Sequence, residues 1–274
     1  MEIEEIKIFG GLGKEDQIEP VSEVTLKMGD IVSIVGPTGC GKTTLINDIE
    51  LFANCDTPSQ RKVLINGRSI KDESQETIKN PIALISQHTN FLSDMIVSSF
   101  LETHARVRLG NNKSENSKVV SETLQFANQL TGEPINENSG MTELSGGQTR
   151  ALLIADAVII GNSPIILLDE IENAGIHRTK ALELLKKYRK IFVFVTHDPR
   201  IALLSDYRIT MKKGAMQKII ITGDEEREVA KGLKNMDDII LDFRNRIRSG
   251  ECLTQNTLKD KLVKCGYLPG GASS

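Results

Sequence analysis

The run Gly36-Pro37-Thr38-Gly39-Cys40-Gly41-Lys42-Thr43-Thr44 constrains this 274-residue chain more than any other stretch. Directly before it, Ile31-Val32-Ser33-Ile34-Val35 is apolar and rich in β-branched residues, which predicts a strand buried on both faces of a parallel sheet. Glycines at 36, 39 and 41 let the backbone turn tightly and aim successive N–H groups at one anion. A helix opening at Thr43, with Leu45, Ile46 and Ile49 as its apolar face, adds its positive end. Strand, glycine loop and helix in this order make a phosphate-binding loop. Lys42 is expected to reach the β- and γ-phosphates and the Thr43 hydroxyl to ligate Mg²⁺, with Pro37, Thr38 and Thr44 completing the contact. Cys40 occupies an unconstrained loop position and is expected to be a bystander.

Further along the chain, three apolar runs end in polar groups. Pro164 to Leu168 leads into Asp169-Glu170. At the carboxyl edge of a parallel sheet these would hold the Mg²⁺ shell (Asp169) and polarise the attacking water (Glu170), whereas at a bare helix start they would only cap. Ile191 to Val195 leads into Thr196-His197-Asp198-Pro199 after a helix-sized segment, Thr179 to Tyr188, so His197 returns to the same edge as a candidate γ-phosphate sensor. Ile82 to Ser86 leads into Gln87, whose amide is placed to touch Mg²⁺ or the attacking water. Taken singly, His197 and Gln87 read as ordinary strand-end residues, and it is the combination that points to one phosphate-handling edge. A second anion site is predicted where Leu144-Ser145-Gly146-Gly147-Gln148 precedes the apolar helical stretch Ala151 to Ile160. Two phosphate sites with catalytic groups for one nucleotide imply that two copies share the nucleotide.

From about Phe9 to about Lys213 these motifs, in this order and spacing, resemble the nucleotide-binding domain of the ATP-binding-cassette family. The resemblance implies a P-loop NTPase (RecA-like) α/β core with an antiparallel β subdomain and a helical subdomain carrying the 144–148 signature. It also implies ATP and Mg²⁺ as cofactors, ATP hydrolysis, and a head-to-tail dimer in which Ser145, Gly146, Gly147 and Gln148 of one copy meet the phosphate loop of the other. Phe9 becomes the candidate for stacking on adenine, the alternative being a core position beside a Gly10–Gly13 turn. The chain departs from the family pattern at Ile171, where proline usually follows the glutamate. It departs again at Asn173 to Ile176, which carries no terminal aspartate, and at Ala151 and Asp156, where arginines are usual, with Arg150 displaced.

The composition bounds the partners. A net charge of −3 gives no pull toward nucleic acid. No apolar run approaches the ~20 residues that cross a bilayer, and no signal peptide is read at Met1, so direct membrane insertion is not expected and the chain reads as cytoplasmic, at most held at the inner face of a membrane by a partner. Cys40, Cys55, Cys252 and Cys265 show no metal or disulfide framework. Without internal repeats the chain is a single cassette that needs a second subunit, a homodimer being expected.

The expected layout is a nucleotide-binding domain at 1–222 and a helical extension at 223–274. Within the first, the helical subdomain at about 91–150 has helices at Met95–Leu109 and Lys118–Leu130 around a polar loop, Gly110–Ser117. Phe91, Met95, Ile96 and Phe100 are read as internal packing before a partner groove. In the extension, Val229, Leu233, Met236, Ile240, Phe243 and Ile247 follow a 4-3-4-3-4 spacing, an apolar seam that either covers the chain's own surface or meets another helix. Arg244, Arg246 and Arg248 read as a solvated basic face. Two functions compete on this layout. One is the energising subunit of a transporter with a membrane permease as partner; the other is a soluble, non-transport cassette ATPase that remodels or activates a protein partner. Glu170 and His197 argue against a non-hydrolysing switch.

Overall fold

The computed structural model describes residues 2–70, 80–86, 89, 91, 93–170 and 178–268. Strands β1 (Glu5–Phe9), β2 (Glu23–Lys27) and β4 (Lys62–Ile65) form an antiparallel sheet in the order β2-β1-β4. Strands β3 (Ile31–Val35), β5 (Ile82–Ile85), β6 (Ile165–Asp169), β7 (Ile191–Val195), β8 (Tyr207–Lys212) and β9 (Ala215–Ile221) form a second sheet in the order β5-β6-β7-β3-β8-β9. It is parallel except for the β8–β9 hairpin.

Why β6 and β7 are continuous apolar runs is visible in their packing. Ile165 and Leu167 of β6, with Ile191, Val193 and Val195 of β7, enter a core shared with helix α1 (Lys42–Glu50) and the antiparallel sheet. Ile166 and Leu168, with Phe192 and Phe194, point the other way into a core shared with α2 (Val97–Leu109), α3 (Lys113–Leu130), α4 (Gly146–Val158) and α5 (Arg178–Leu185). A period of two with both faces covered demands apolar residues at every position. Each such side chain contributes on the order of 1.5–3 kcal/mol of burial, which fixes the strand ends to which the functional groups are attached.

The helical region corrects several sequence-based boundaries. The polar loop expected over Gly110–Ser117 shrinks to 110–112. Asn112 caps α3 by accepting from the Glu115 N–H (3.4 Å), its amide donates to Glu115 Oε2 (3.1 Å), and the Asn116 amide donates to the Gly110 carbonyl (2.8 Å). The polar residues are capping groups rather than linker. Helix α2 starts at Val97 instead of Met95 because Ile96 bridges Gly140 and the Met95 carbonyl accepts from the Met141 N–H (2.9 Å), holding both residues extended. Helix α4 runs from Gly146 to Val158, with Ser145 at its N-terminus as expected but ending short of Ile160, and α5 stops at Leu185, short of Tyr188. Phe91 and Phe100 do pack internally, edge to face at 4.9 Å, while Met95 and Ile96 are exposed.

The chain divides into two compact units, Met1–Thr222 and Gly223–Ser274. The first ends its helices with α6 (Pro199–Leu204), and the second contains α7 (Asp224–Arg248) and α8 (Gln255–Lys264). Helix α8 returns alongside α7, with Lys261 Nζ 3.1 Å from Asp242 Oδ2 and the hydroxyl of Tyr267 donating to the Gly232 carbonyl (3.2 Å). The hydrogen bond and charge of Lys261 hold the Asp242 carboxyl below its ordinary pKa. Of the predicted seam, Val229, Met236, Ile240 and Ile247 remain 52%, 47%, 56% and 61% exposed. Leu233 and Phe243, the other two, are partly buried.

Candidate nucleotide site

The turn from β3 into α1 is built so that only glycine fits at its tightest point. Gly41 is the left-handed N-cap of α1 (φ 97°), and a Cβ there would lie 2.9 Å from the Cα of Gly214. Helix α1 has no side-chain cap and no acidic residue in its first turn, and Thr43 and Thr44 are exposed there. An uncapped helix N-terminus with exposed hydroxyls is suited to an external anion. Lys42 is largely buried, its ammonium donating to the carbonyls of Gly36 (2.9 Å) and Pro37 (3.1 Å). Pro37, Thr38 and Gly39 form the exposed rim. Cys40 is 5% exposed within the core on the α1 side, so its thiol is shielded from solution.

The adjacent strands deliver the other groups to the same edge. β6 and β7 are hydrogen-bonded neighbours, β7 neighbours β3, and all three run parallel. Asp169 thus ends the second strand from the phosphate loop, and His197 follows the strand between them. His197 Nε2 lies 3.6 Å from Glu170 Oε1, with both side chains partly solvent-accessible. Glu170 is left-handed (φ 50°), its N–H donating to the Val195 carbonyl (3.1 Å). For a non-glycine residue this conformation costs on the order of 1 kcal/mol. It suits a residue followed by isoleucine, because proline at 171 would push Glu170 toward the extended region. Gln87, Ile171 and Asn173 to Ile176 lie outside the described residues.

Three buried charged residues tie this edge together, and no local sequence pattern announced them. Arg61, fully buried, donates from Nε (3.0 Å) and Nη2 (2.7 Å) to Glu19, from Nη1 to Asp48 (2.7 Å) and from Nη2 to the Gly214 carbonyl (2.6 Å). Burial opposes its charge, but the hydrogen bonds and fields of Glu19 and Asp48 outweigh it and hold the guanidinium above its ordinary pKa. Glu19 also accepts from the N–H groups of Gly11 (2.8 Å) and Met216 (2.5 Å), Asp48 lies on α1, and the Gly214 N–H donates to the Cys40 carbonyl (2.8 Å). One guanidinium thus joins the Gly10–Gly13 loop, the phosphate-loop helix and the β8–β9 turn. Lys14, next to that loop, reaches the Gly39 carbonyl with its ammonium (2.7 Å). Phe9 ends β1 half-buried, on the face opposite the buried Ile6 and Ile8, so it is not a core residue.

At α4, Ser145 is the N-cap. Its hydroxyl accepts from the Gln148 N–H (3.4 Å), and Gln148 Oε1 accepts from the Ser145 N–H (3.0 Å), a reciprocal capping box. The Gln148 amide also donates to the Pro134 carbonyl (3.1 Å), so this side chain is committed to its own loop. Ser145 and Gly146 are exposed and Gly147 is partly so. Asp156, where an arginine is usual, is 2.6 Å from His104 Nδ1, and Arg108 Nε donates to His104 Nε2 (3.2 Å). The family's arginine is replaced by a local carboxylate–imidazole pair.

Comparison with known proteins agrees with this geometry. The family described as ABC transporter matches residues 21–173. An "uncharacterized ABC transporter ATP-binding protein" of Methanocaldococcus jannaschii is 49% identical over 259 residues, covering 94% of this chain and 98% of that protein. A macrolide export ATP-binding/permease protein of Campylobacter jejuni is 31% identical over 254 residues; the match covers 83% of this chain and 37% of that protein. Among solved structures, a dimeric ATP-binding cassette in a post-hydrolysis state with ADP and Pi superposes with a TM-score of 0.61 at 26% identity, covering 80% of this chain and 99% of that one. The chain belongs to the ATP-binding-cassette transporter family and is one of its ATPase cassettes. Its P-loop NTPase fold, with antiparallel and helical subdomains, is that of the family.

Proposed function

We propose that two copies of this chain pair head to tail and hydrolyse magnesium-ATP between them, energising a transporter whose permease is a partner protein at the cytoplasmic face of a membrane. The observation that carries this reading is the adjacency of the phosphate loop, Asp169-Glu170 and His197 on three neighbouring parallel strand ends. In this reading Lys42 and the loop N–H groups grip the β- and γ-phosphates, and Thr43 and Asp169, with Gln87, hold Mg²⁺. When bound there, the ion would supply neutralisation of the charge that develops on the phosphates. Glu170 orients and polarises the attacking water, with His197 beside it and the γ-phosphate. Phe9 stacks on adenine. Ser145, Gly146 and Gly147 of the second copy close over the γ-phosphate, while Gln148 holds the Ser145 turn in shape. The permease follows from the export relatives, in which such a cassette is named together with one.

Hydrolysis by purified Lys42→Ala and Glu170→Gln chains tests the reading. Lys42→Ala is expected to lose turnover by at least about 10²-fold and to weaken ATP binding, since the charge on the transferring phosphoryl group is stabilised electrostatically. Glu170→Gln is expected to bind ATP, stall, and accumulate as an ATP-dependent dimer on size exclusion. Normal turnover in Lys42→Ala would overturn the site, and normal turnover in Glu170→Gln would move the base to another group. Co-purification with a multi-span membrane protein tests the transporter role.

A further inference from the structure

Helix α7 carries an exposed apolar stripe that the nucleotide site does not use. Its six apolar residues, Val229, Leu233, Met236, Ile240, Phe243 and Ile247, stay within about 40° of one line along the helix and run over about 27 Å of its length. Four are roughly half exposed or more. Beside them, the face bearing Gly232, Asp242 and Arg246 is occupied by α8 and the segments before and after it, through Lys261, Glu251 and Tyr267. The apolar stripe is thus a seam left open next to an already packed face.

We propose that this stripe is a contact between two copies of the chain, in which the α7 helices pair antiparallel about a two-fold axis at the level of Asp238, independently of nucleotide. Two observations select this occupant. First, the 4-3-4-3-4 spacing reads the same in both directions, so an antiparallel copy brings Val229 against Ile247, Leu233 against Phe243 and Met236 against Ile240. Every knob then meets an apolar partner of the same stripe, the self-complementarity that an isologous dimer requires. Second, the charges are polarised along the helix. Asp224, Glu225 and Glu226 lie in its first turn and Arg248 in its last, Arg246 being held by Asp242 and Glu251 of its own chain. Antiparallel pairing sets acidic end against basic end and opposes the helix dipoles, whereas parallel pairing stacks like charges at both ends. The contact is distinct from the head-to-tail ATP interface, and the two are separable by experiment.

The test uses the full-length chain, stripped of nucleotide and metal with EDTA, in sedimentation velocity from about 1 to 100 µM, the range of modest protein self-association. A reversible dimer is expected. Ile240→Glu, at an exposed position, is expected to weaken it by more than about tenfold, because the carboxylate would be buried at the centre of the seam. In the same background Glu170→Gln should still dimerise with ATP, which separates failure of this contact from failure of the catalytic reading. Orientation is read by disulfide capture after replacing the exposed Cys55, Cys252 and Cys265 with serine. Val229→Cys and Ile247→Cys chains should cross-link when mixed, and neither alone. A nucleotide-free chain that stays monomeric, a dimer indifferent to Ile240→Glu, or self-cross-linking of either cysteine variant by itself would overturn the proposal.

Discussion

β7 buries all five of its residues, and α7, five times as long, buries two of its 25. The contrast extends to the units that contain them. In the cassette unit apolar strands fill two cores, and the fully buried Arg61 is satisfied by Glu19 and Asp48. In the C-terminal unit the charges of Lys231, Glu228, Arg246 and Lys261 pair at or near the surface, and apolar side chains remain uncovered. The lesson is that the cores of the first unit are filled by its own chain, which holds strand-end groups such as Asp169 and Glu170 in place. The second leaves part of an amphipathic helix uncovered, which is the surface the proposed pairing of two copies would use.

Substitutions that set buried charge against exposed apolar surface would sharpen or break this contrast. The largest effect is expected at Arg61. Arg61→Met leaves Glu19 and Asp48 buried without their shared cation, which typically costs about 3–5 kcal/mol, or a fall in Tm on the order of 6–20 °C for a chain of this size. Arg61→Lys should recover only part, since one ammonium cannot reproduce the forked contact with Glu19 together with those to Asp48 and Gly214. Thermal unfolding decides, and a loss below about 1 kcal/mol would show that burial of charge in this unit is not organised around Arg61.

A smaller effect of opposite sign is expected at Lys190. Its ammonium is buried with a hydrogen bond to Asn162 Oδ1 (2.6 Å), and burial lowers its pKa to about 8. The ordinary value is higher, so between about pH 8 and 10.5 the unfolded chain binds more protons than the folded one, and stability rises with pH through that window. Lys190→Met removes this cost and leaves an exposed Asn162 that water can satisfy. The variant should be more stable by about 1–2 kcal/mol at pH 7, with the advantage shrinking toward pH 10. Denaturant titrations at both pH values check it, and a constant difference would refute the assignment. The smallest effect is expected at Met236, where serine should change the stability of the dilute monomer by no more than about 0.5 kcal/mol. A larger loss would mean the stripe is packed on its own chain and the contrast fails.

Much of the cassette was legible because its signals are local. The runs ending at Val35, Leu168 and Val195 are contiguous, and the glycine loop follows its strand without interruption. The parallel order that brings Asp169 and His197 to the phosphate loop follows from those runs and their crossovers. The Arg61–Glu19–Asp48 cluster was not legible, because its members come from three segments, Glu19 and Arg61 being 42 residues apart, and none lies in a periodic pattern. Asn112 looked like loop because capping residues and loop residues share a composition. The left-handed Glu170 was hidden because φ is set by its hydrogen bond to Val195 and its neighbours in space. The α7 stripe was visible as spacing, but whether it was covered depended on the folded chain.

The close approach of Gly41 to Gly214 bears on how portable such a loop is. The nine residues from Gly36 to Thr44 look like a self-contained cassette of sequence that one might transplant, yet their shape is partly stamped by a hairpin turn contributed by the far end of the unit. Gly214 is itself left-handed, and a Cβ there would lie 2.7 Å from the Lys14 nitrogen, so that turn has no more freedom than the loop it abuts. Grafting the motif into a foreign sheet would therefore import half of a mould. A faithful transplant would have to carry the β8–β9 turn with it.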